Sequence, residues 1–452
     1  MDTIKVLINH KHKDSGLNIY INIIAIGIFI FTFYISTLKS FLFPFELRLL
    51  ILMFSIVILF FSILVINKKG ILITRVDIMW LLFLLLFVTN ISFNNIITPV
   101  TIIDIFVYTS GIVFLLLVKV NISNYDYSLK LVKLAGIIYA CSAIFQYLYT
   151  DFYLSNVLPF FSQGDQDNIL KLLRGNSYTG FTNQTAHLAG YIVSGIGVII
   201  FSDWKKKLSI KFISILYLTL LVIGLLLTTK RAHFIFMIIA IVITVLFSIN
   251  NKKFIKNVMK LTMGGIVALL FAFFLFTSIE FSENSPIVSF VNELDNTVNG
   301  IIEGEDVSSG RSILYTYSWD LFTNSPITGI GWKEFINNSV GLINSDVGSH
   351  PHNIYLQLLT ELGIVGFFLF ISPVIYVYYK TYSMLRIFSV INNNLKQEWK
   401  FGIQYSFFSQ SFFLLYGMTG NLLTDYNFLL MYFLACSISL SAMVKLKTNS
   451  LK

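Results

Sequence analysis

The stretch that decides the fold reads His350-Pro351-His352-Asn353-Ile354-Tyr355-Leu356-Gln357-Leu358-Leu359-Thr360-Glu361-Leu362-Gly363-Ile364-Val365-Gly366. It closes a long polar segment and opens an apolar one, so it marks a place where water meets lipid. His352 and Asn353 stand side by side at this boundary. Nine residues, a glycine, two residues and a second glycine follow them. We therefore expect an imidazole and a carboxamide at the end of a membrane-crossing helix.

The composition agrees with a membrane location. Apolar residues make up 56% of the 452 residues, charged residues only 12%, and the mean hydropathy is +0.77. Soluble domains contain about 25% charged residues. The two cysteines, Cys141 and Cys436, each lie in an apolar run and are expected to be packing residues. The predicted fold class is an all-α polytopic membrane protein, because lipid leaves no backbone group unsatisfied.

Apolar segments of about 20 residues can cross a membrane. The chain contains twelve such segments: residues 17–38, 47–66, 76–92, 101–118, 129–149, 184–202, 208–228, 232–248, 258–279, 359–379, 402–418 and 422–444. The first is long for a signal sequence and has no small-residue cleavage site, so we interpret it as an uncleaved span. An even number of spans places both ends of the chain on one side of the membrane.

Basic residues near the span ends predict which side that is. Alternate connections and the two ends hold 24 of the 32 lysines and arginines, and cytoplasmic segments carry this excess. Both termini are thus expected in the cytoplasm, and the formal charge of +9 reflects topology and does not indicate a nucleic-acid partner. The other eight basic residues are Lys39, Arg48, Lys171, Arg174, Lys230, Arg231, Arg311 and Lys333.

The longest predicted external loop, residues 280–351 between spans 9 and 10, is acidic and polar and should be partly folded. Apolar residues at positions 313, 314, 317 and 321 recur at helical spacing after a pair of serines, which are suitable N-caps. Pro326 should end that helix, and Gly329 and Gly331 should form a turn. We expect the helix to lie along the membrane surface.

Several external cations break the positive-inside pattern and are candidates for chemistry. Lys230 and Arg231 stand in a tight connection beside His233, where an ion marks either a site or a snorkelling side chain. Arg174 precedes a glycine- and amide-rich turn, although a solvated loop arginine is the commoner interpretation. Arg311 at a helix start opposes the helix dipole, whereas a bound anion would suit both. The sequence has no Gly-x-x-x-x-Gly-Lys nucleotide motif and no metal-binding motif.

Four places in the chain together resemble the O-antigen ligase and O-antigen/capsule polymerase superfamily. They are Arg174…Gly180-Phe181-x-Asn183, Lys230-Arg231, Gly310-Arg311…Trp319…Pro326-x-x-Gly329-x-Gly331, and His352-Asn353-x9-Gly363-x-x-Gly366. The resemblance covers about residues 170–380, and its last motif is the most specific. It suggests three parts: N-terminal spans 1–5 (residues 1–150), a ligase/polymerase-like core that includes the external loop (151–380), and C-terminal spans 11–12 (381–452).

The resemblance implies a donor glycan on undecaprenyl pyrophosphate and no cofactor or metal. It makes His352, Arg231 and Arg311 catalytic: the arginines would hold the leaving pyrophosphate, and His352 would orient or deprotonate the acceptor hydroxyl. Substrate binding is expected from Arg174, Lys230, Asn353 and Asn183. His352 could instead be a polar cap of a span, and His350, His187 and His233 compete for its role. Gly363 and Gly366 could simply permit close helix packing, and Glu361 could pair with an outer arginine.

The function that this resemblance favours is an O-antigen or capsule polymerase in the bacterial cytoplasmic membrane, with its site on the periplasmic or extracellular side. It would transfer a glycan chain to a lipid-linked repeat unit, and its partners would include the bilayer, a flippase and a chain-length regulator. An O-antigen ligase acting on lipid A-core is the alternative. A lipid-linked oligosaccharide flippase is a third reading, disfavoured because the spans are nearly free of ions except Asp104. A peptidoglycan polymerase of the rod-shape or division type is also disfavoured.

Overall fold

A computed structural model of the chain describes residues 4–5, 24, 26–28, 30, 47–61, 72–93, 98–118, 125–203, 208–248, 286–303, 308, 310–342, 348–390 and 394–450. Within these residues the fold is helical, apart from a two-residue antiparallel pairing of β1 (Ile4–Lys5) with β2 (Leu72–Ile73). The predicted spans 17–38, for the most part, and 258–279, entirely, lie outside the described residues.

The described helices are named here in chain order. They are α1 (Leu47–Phe61), α2 (Arg75–Phe93), α3 (Pro99–Val118), α4 (Tyr125–Leu148), α5 (Thr150–Asn156), α6 (Gln163–Arg174), α7 (Thr185–Val198), α8 (Leu208–Leu227), α9 (Arg231–Ser248), α10 (Pro286–Glu303), α11 (Arg311–Asn324), α12 (Glu334–Asn338), α13 (Ile354–Val390), α14 (Asn394–Tyr416) and α15 (Tyr426–Ser450). A 3-10 turn (Leu158–Phe160) follows α5, and a π-helical turn (Ile199–Asp203) extends α7.

Among the described residues, six helices are long and apolar enough to cross a membrane. They lie in α2, α3, α4, α9, α13 and α15. The predicted all-α membrane fold is confirmed, and a helix stands at each predicted span within the described residues. The count of twelve spans and the cytoplasmic location of both termini stay predictions.

Three element boundaries differ from the sequence expectation. Helix α13 begins at Ile354 rather than at residue 359, because Asn353 caps it there. The last span begins at Tyr426 rather than at residue 422, because residues 417–425 form a turning connection. In the predicted external loop, α11 forms as expected but its N-cap is Gly310 at φ 81°, and α10 is a helix that the pattern did not reveal.

The bundle is assembled through small residues and aromatic rings. Helices α4 and α7 cross so closely that a Cβ on Gly136 would lie 2.9 Å from the Cα of Gly195. Gly224 of α8 meets Ala140 of α4 in the same way. Without a hydrophobic force between helices in lipid, such close contact supplies the dispersion energy that holds them together.

Candidate functional site

The helix break at Gly363 is filled by a segment of the predicted external loop. Gly363 adopts φ 66° and ψ −173°, so α13 is interrupted two turns after it begins. Residues 326–333, the docking segment, lie against the break. The N–H groups of Ile330 and Gly331 donate to the carbonyls of Thr360 (2.9 Å) and Glu361 (3.1 Å), and Ile364 donates to Pro326 (2.8 Å). The interrupted helix thereby regains partners for its free backbone groups.

The glycines of two motifs face each other across this contact. A Cβ on Gly329 (φ 70°) would overlap the backbone of Glu361, and one on Gly363 would overlap the carbonyl of Ile327. Only glycine combines a positive φ with such close backbone approach. These two motifs are therefore one packing unit, although they stand more than thirty residues apart in the chain. Gly363 permits the docking of a loop, which goes beyond the helix packing expected of it.

The docking segment is anchored in the membrane helices of the N-terminal part. Asp104 of α3 has no solvent exposure, and its carboxylate accepts from the Nζ of Lys333 (2.7 Å) and the Nε1 of Trp332 (2.8 Å). The Tyr426 hydroxyl donates to the other carboxylate oxygen of Asp104. Asn90 of α2 accepts from the Trp332 backbone at 3.1 Å. The first 150 residues thus contribute more than spans, because they hold the loop in place.

The backbone around His352 is held in an unusual conformation. His352 adopts φ 53°, a left-handed conformation that non-glycine residues rarely take. Its carbonyl accepts from the Tyr315 hydroxyl of α11 (3.4 Å). The next residue, Asn353, is the N-cap of α13, where its Oδ1 accepts from the N–H groups of Tyr355 (2.9 Å) and Leu356 (3.1 Å). Asn353 therefore fixes the point at which α13 begins, directly after His352.

The charges of two cations act on His352. Burial, with the positive charges of Arg311 and Lys230, lowers the pKa of His352 to about 4. His350 lies on the other side of Pro351, where burial and the charges of Lys333 and His352 also lower its pKa to about 4. Both imidazoles are neutral at pH 7, so each can accept a hydrogen bond. The charges that act on the two imidazoles differ: Arg311 and Lys230 act on His352, and Lys333 acts on His350.

The loop after Arg174 joins this end of the bundle. Ser177 shares a hydrogen bond with Thr229, and the Tyr178 N–H donates to the carbonyl of Leu227 at 3.0 Å. The loop is held by α4, where Gln146 accepts from the N–H groups of Thr179 and Gly180. The Gly180-Phe181-x-Asn183 motif thus brings the chain beside the connection that contains Lys230.

The remaining predicted site residues lie on α6, on α9 and in the loop between α6 and α7. Arg174 is exposed at the end of α6, and Arg231 is half-buried as the first residue of α9. The Asn183 amide donates to Asp165 of α6 at 2.9 Å. The structure therefore brings together His352, Arg311 and Lys230. Nothing in it tests the roles predicted for the seven site residues, which stay predictions.

A second group of polar side chains lies near this end of the bundle, and the sequence did not reveal that they are close together. The Nε2 of His187, in the first turn of α7, lies 2.9 Å from the Oδ2 of Asp425, just before α15. The ring of His233 lies 4.1 Å from that of Tyr416, between centroids. Asp425 falls within the first turn of the last predicted span, residues 422–444. A histidine and an aspartate more than two hundred residues apart give no local signal of pairing.

The contacts of Glu361 also differ from the expectation of an arginine partner. Its Oε2 accepts from Gln357 at 3.0 Å, and its side chain is fully buried. Within the described part of the chain, no group of three or more His, Cys, Asp or Glu residues could hold a metal ion.

The fold and site together define a multi-pass helical membrane protein with a cationic, histidine-containing site at the ends of its helices. Residues 216–371 match the family described as O-antigen ligase. This match, over about a third of the chain, confirms the predicted resemblance to the O-antigen ligase and polymerase superfamily. No curated protein matches the chain. The matched residues include Lys230, Arg231, Arg311 and His352, but not Arg174, Asn183 or Asp425.

Proposed function

We propose that this protein is a polysaccharide polymerase of the O-antigen or capsule type. It transfers a growing glycan chain from undecaprenyl pyrophosphate to a lipid-linked repeat unit on the outer face of the bacterial cytoplasmic membrane. The observation that carries the proposal is the position of His352 just before a membrane helix, where α11, which begins at Arg311, contacts its backbone through Tyr315. The positive charges of Arg311 and Lys230 act on its imidazole there. A lipid-borne anion and a water-borne hydroxyl can meet there.

In the proposed reaction, an acceptor hydroxyl oxygen attacks the anomeric carbon of the donor sugar. The bond between that carbon and the phosphate oxygen breaks, and the lipid pyrophosphate leaves with the electron pair. Arg311, Arg231, Lys230 and Arg174 neutralise its charge, which takes the place of the divalent cation that often screens pyrophosphates. The proton of the acceptor hydroxyl passes to His352 and from there to solvent.

The low pKa of His352 makes it a neutral but weak base. A bound pyrophosphate would offset the charges of Arg311 and Lys230, so the pKa of His352 would rise. The base would then become stronger only when the donor is in place. This coupling would limit proton abstraction to the complex in which transfer can occur.

A ligase that transfers the glycan to lipid A-core is the second proposal, because the same family contains it. A flippase is disfavoured by the contacts of Asp104. Asp104, within an early predicted span, is enclosed by Lys333, Trp332 and Tyr426 and does not line an open charged passage.

The test is chain extension by purified protein with defined lipid-linked repeat units. A ladder of products that grows by whole repeats supports a polymerase, and transfer to lipid A-core alone supports a ligase. His352→Ala should remove most extension while His350→Ala has a smaller effect. Equal and mild losses in the two variants would reject His352 as the acceptor-activating residue, and no transfer to either acceptor would reject both proposals.

A further inference from the structure

The connection between α14 and α15, residues 417–425, adjoins the His352 site from a part of the chain outside the matched family region. The Ile354 N–H donates to the carbonyl of Gly417 (2.8 Å), and the Tyr315 hydroxyl donates to that of Met418 (3.2 Å). At its other end Asp425 pairs with His187. The connection therefore touches the helices that carry His352 and Arg311.

Polar atoms without partners gather around this connection. The Oγ1 of Thr419, the Oδ1 of Asn421 and the Nδ1 of His187 are all buried and accept or donate no hydrogen bond among the described residues. The two ring nitrogens of His233 are also buried and have no hydrogen-bond partner among the described residues, and His233 is 1% exposed. The carbonyl of Ala186 lies near the His233 ring without meeting hydrogen-bond geometry. Folded proteins leave few buried polar groups unpaired, so such a concentration indicates a bound polar partner.

The chemistry of these groups selects the partner. A hydroxyl, a carboxamide oxygen and imidazole nitrogens combine acceptors with donors. Sugar hydroxyls both donate and accept, and they can therefore satisfy the carboxamide oxygen of Asn421. Phosphate oxygens are chiefly acceptors and leave it unpaired. The nearby carboxylate of Asp425 would also repel an anion, whereas a hydroxyl can donate to it.

We propose that Thr419, Asn421 and Asp425, together with His187 and His233, form a saccharide subsite. It takes the hydroxyl groups of a sugar that adjoins the bond being made. The proposal rests on the proposed function, because glycan transfer supplies the sugar. The two parts of the site then bind different parts of the substrate. Cations beside His352 hold the pyrophosphate, and the hydroxyl, amide, imidazole and carboxylate groups beyond it hold the sugar.

The test measures the KM of each substrate in a transfer assay. A preformed long chain on the lipid is the donor, and a fluorescent single repeat on a shortened lipid is the acceptor, so product length identifies both. Asn421→Ala and Thr419→Val should each raise the KM of the acceptor by about threefold to tenfold, the effect of one lost neutral hydrogen bond, with kcat little changed. Met418→Ala, whose side chain is half exposed, is the matched control in the same connection.

An increase in the donor KM instead would still support a saccharide subsite and would assign it to the sugar of the donor. If neither KM changes in variants with the melting temperature of the wild type, water alone fills the site and the proposal is overturned. A second measurement separates this failure from failure of the proposed function. The lipid-free repeat oligosaccharide should give saturation-transfer NMR contacts with wild-type protein that weaken in Asn421→Ala, even if no transfer occurs. Equal contacts in both proteins would reject the subsite.

Discussion

The Nζ of Lys333 lies 2.7 Å from the Oδ2 of Asp104, a carboxylate with no solvent exposure. The lysine belongs to the docking segment of the predicted external loop, and the aspartate belongs to a helix that can cross the membrane. A buried ion pair of this kind contributes little net stability, but the loss of one partner leaves an uncompensated charge. The pair therefore fixes where the loop sits, and with it the positions of Arg311 and His352.

Asp104→Asn should destabilise the protein by about 3–5 kcal/mol, because Lys333, which is largely shielded from solvent, would lose its counter-charge. The double variant Asp104→Asn/Lys333→Met should recover much of that loss, since it removes both charges. Thermal unfolding in detergent measures the effect, and chain extension should follow the same order. Lys171→Met, at an exposed lysine of α6, serves as the control and should change stability by less than about 0.5 kcal/mol. A double variant no more stable than Asp104→Asn would contradict the positional role of the pair.

Gly329→Ala and Gly363→Ala should each prevent docking of the loop, because either Cβ would overlap the backbone opposite. Activity should fall to near background. Two control glycine variants separate the effect of a positive φ from the effect of backbone overlap. Gly341→Ala has a positive φ but open space and should cost about 1–2 kcal/mol, whereas Gly164→Ala has neither constraint and should behave as wild type. Full activity in Gly363→Ala, measured by extension, would show that the docked arrangement is not needed for transfer.

The pH dependence of transfer should reflect the lowered pKa of His352. Its neutral form persists well below pH 6.5, so kcat/KM should stay high until the pH approaches about 4. The acid limb of kcat should lie at higher pH, because the bound pyrophosphate offsets the neighbouring cations. Arg311→Gln removes one of those cations and should move the acid limb of kcat/KM to higher pH. A limb that stays in place in Arg311→Gln would mean that it reports another group.

Arg311→Lys should weaken donor binding about tenfold, since lysine keeps the charge but loses the planar fork that holds two phosphate oxygens. Arg231→Lys should show a similar loss if both arginines contact the pyrophosphate. Lys171→Gln changes an exposed cation away from His352 and should bind the donor normally. Donor affinity can be measured by competition with an unlabelled lipid pyrophosphate. Unchanged affinity in Arg311→Lys would remove that arginine from the donor site.

Transfer should survive a chelator, because arginine and lysine supply the positive charge at the leaving group. The measurement is extension in excess EDTA, with and without added Mg²⁺ or Mn²⁺. Loss of transfer in EDTA that a divalent ion restores would show that the cationic side chains do not suffice.

Sequence alone determined the fold class and the position of the candidate site. Apolar runs and the scarcity of charge indicated a helical membrane protein, because lipid permits few other solutions for the backbone. The positive-inside pattern marked Arg311 and Lys230, since basic residues in predicted external segments are costly exceptions, and the family resemblance marked His352. The motif His352-Asn353-x9-Gly363-x-x-Gly366 carried a resemblance to the family, and the match over residues 216–371 supports that resemblance.

Only the tertiary structure showed what those residues contact. From the sequence, Gly329 was expected in a turn and Gly363 in helix packing. Asp104 was an isolated charged residue in a predicted span. Their partners are distant in the chain, so no local pattern records the pairing: Lys333 reaches back to Asp104, and Asp425 reaches back to His187. Helix formation depends on neighbours three or four residues away, which a sequence displays. The docking of a loop into a broken helix depends on backbone groups that only the folded chain brings together.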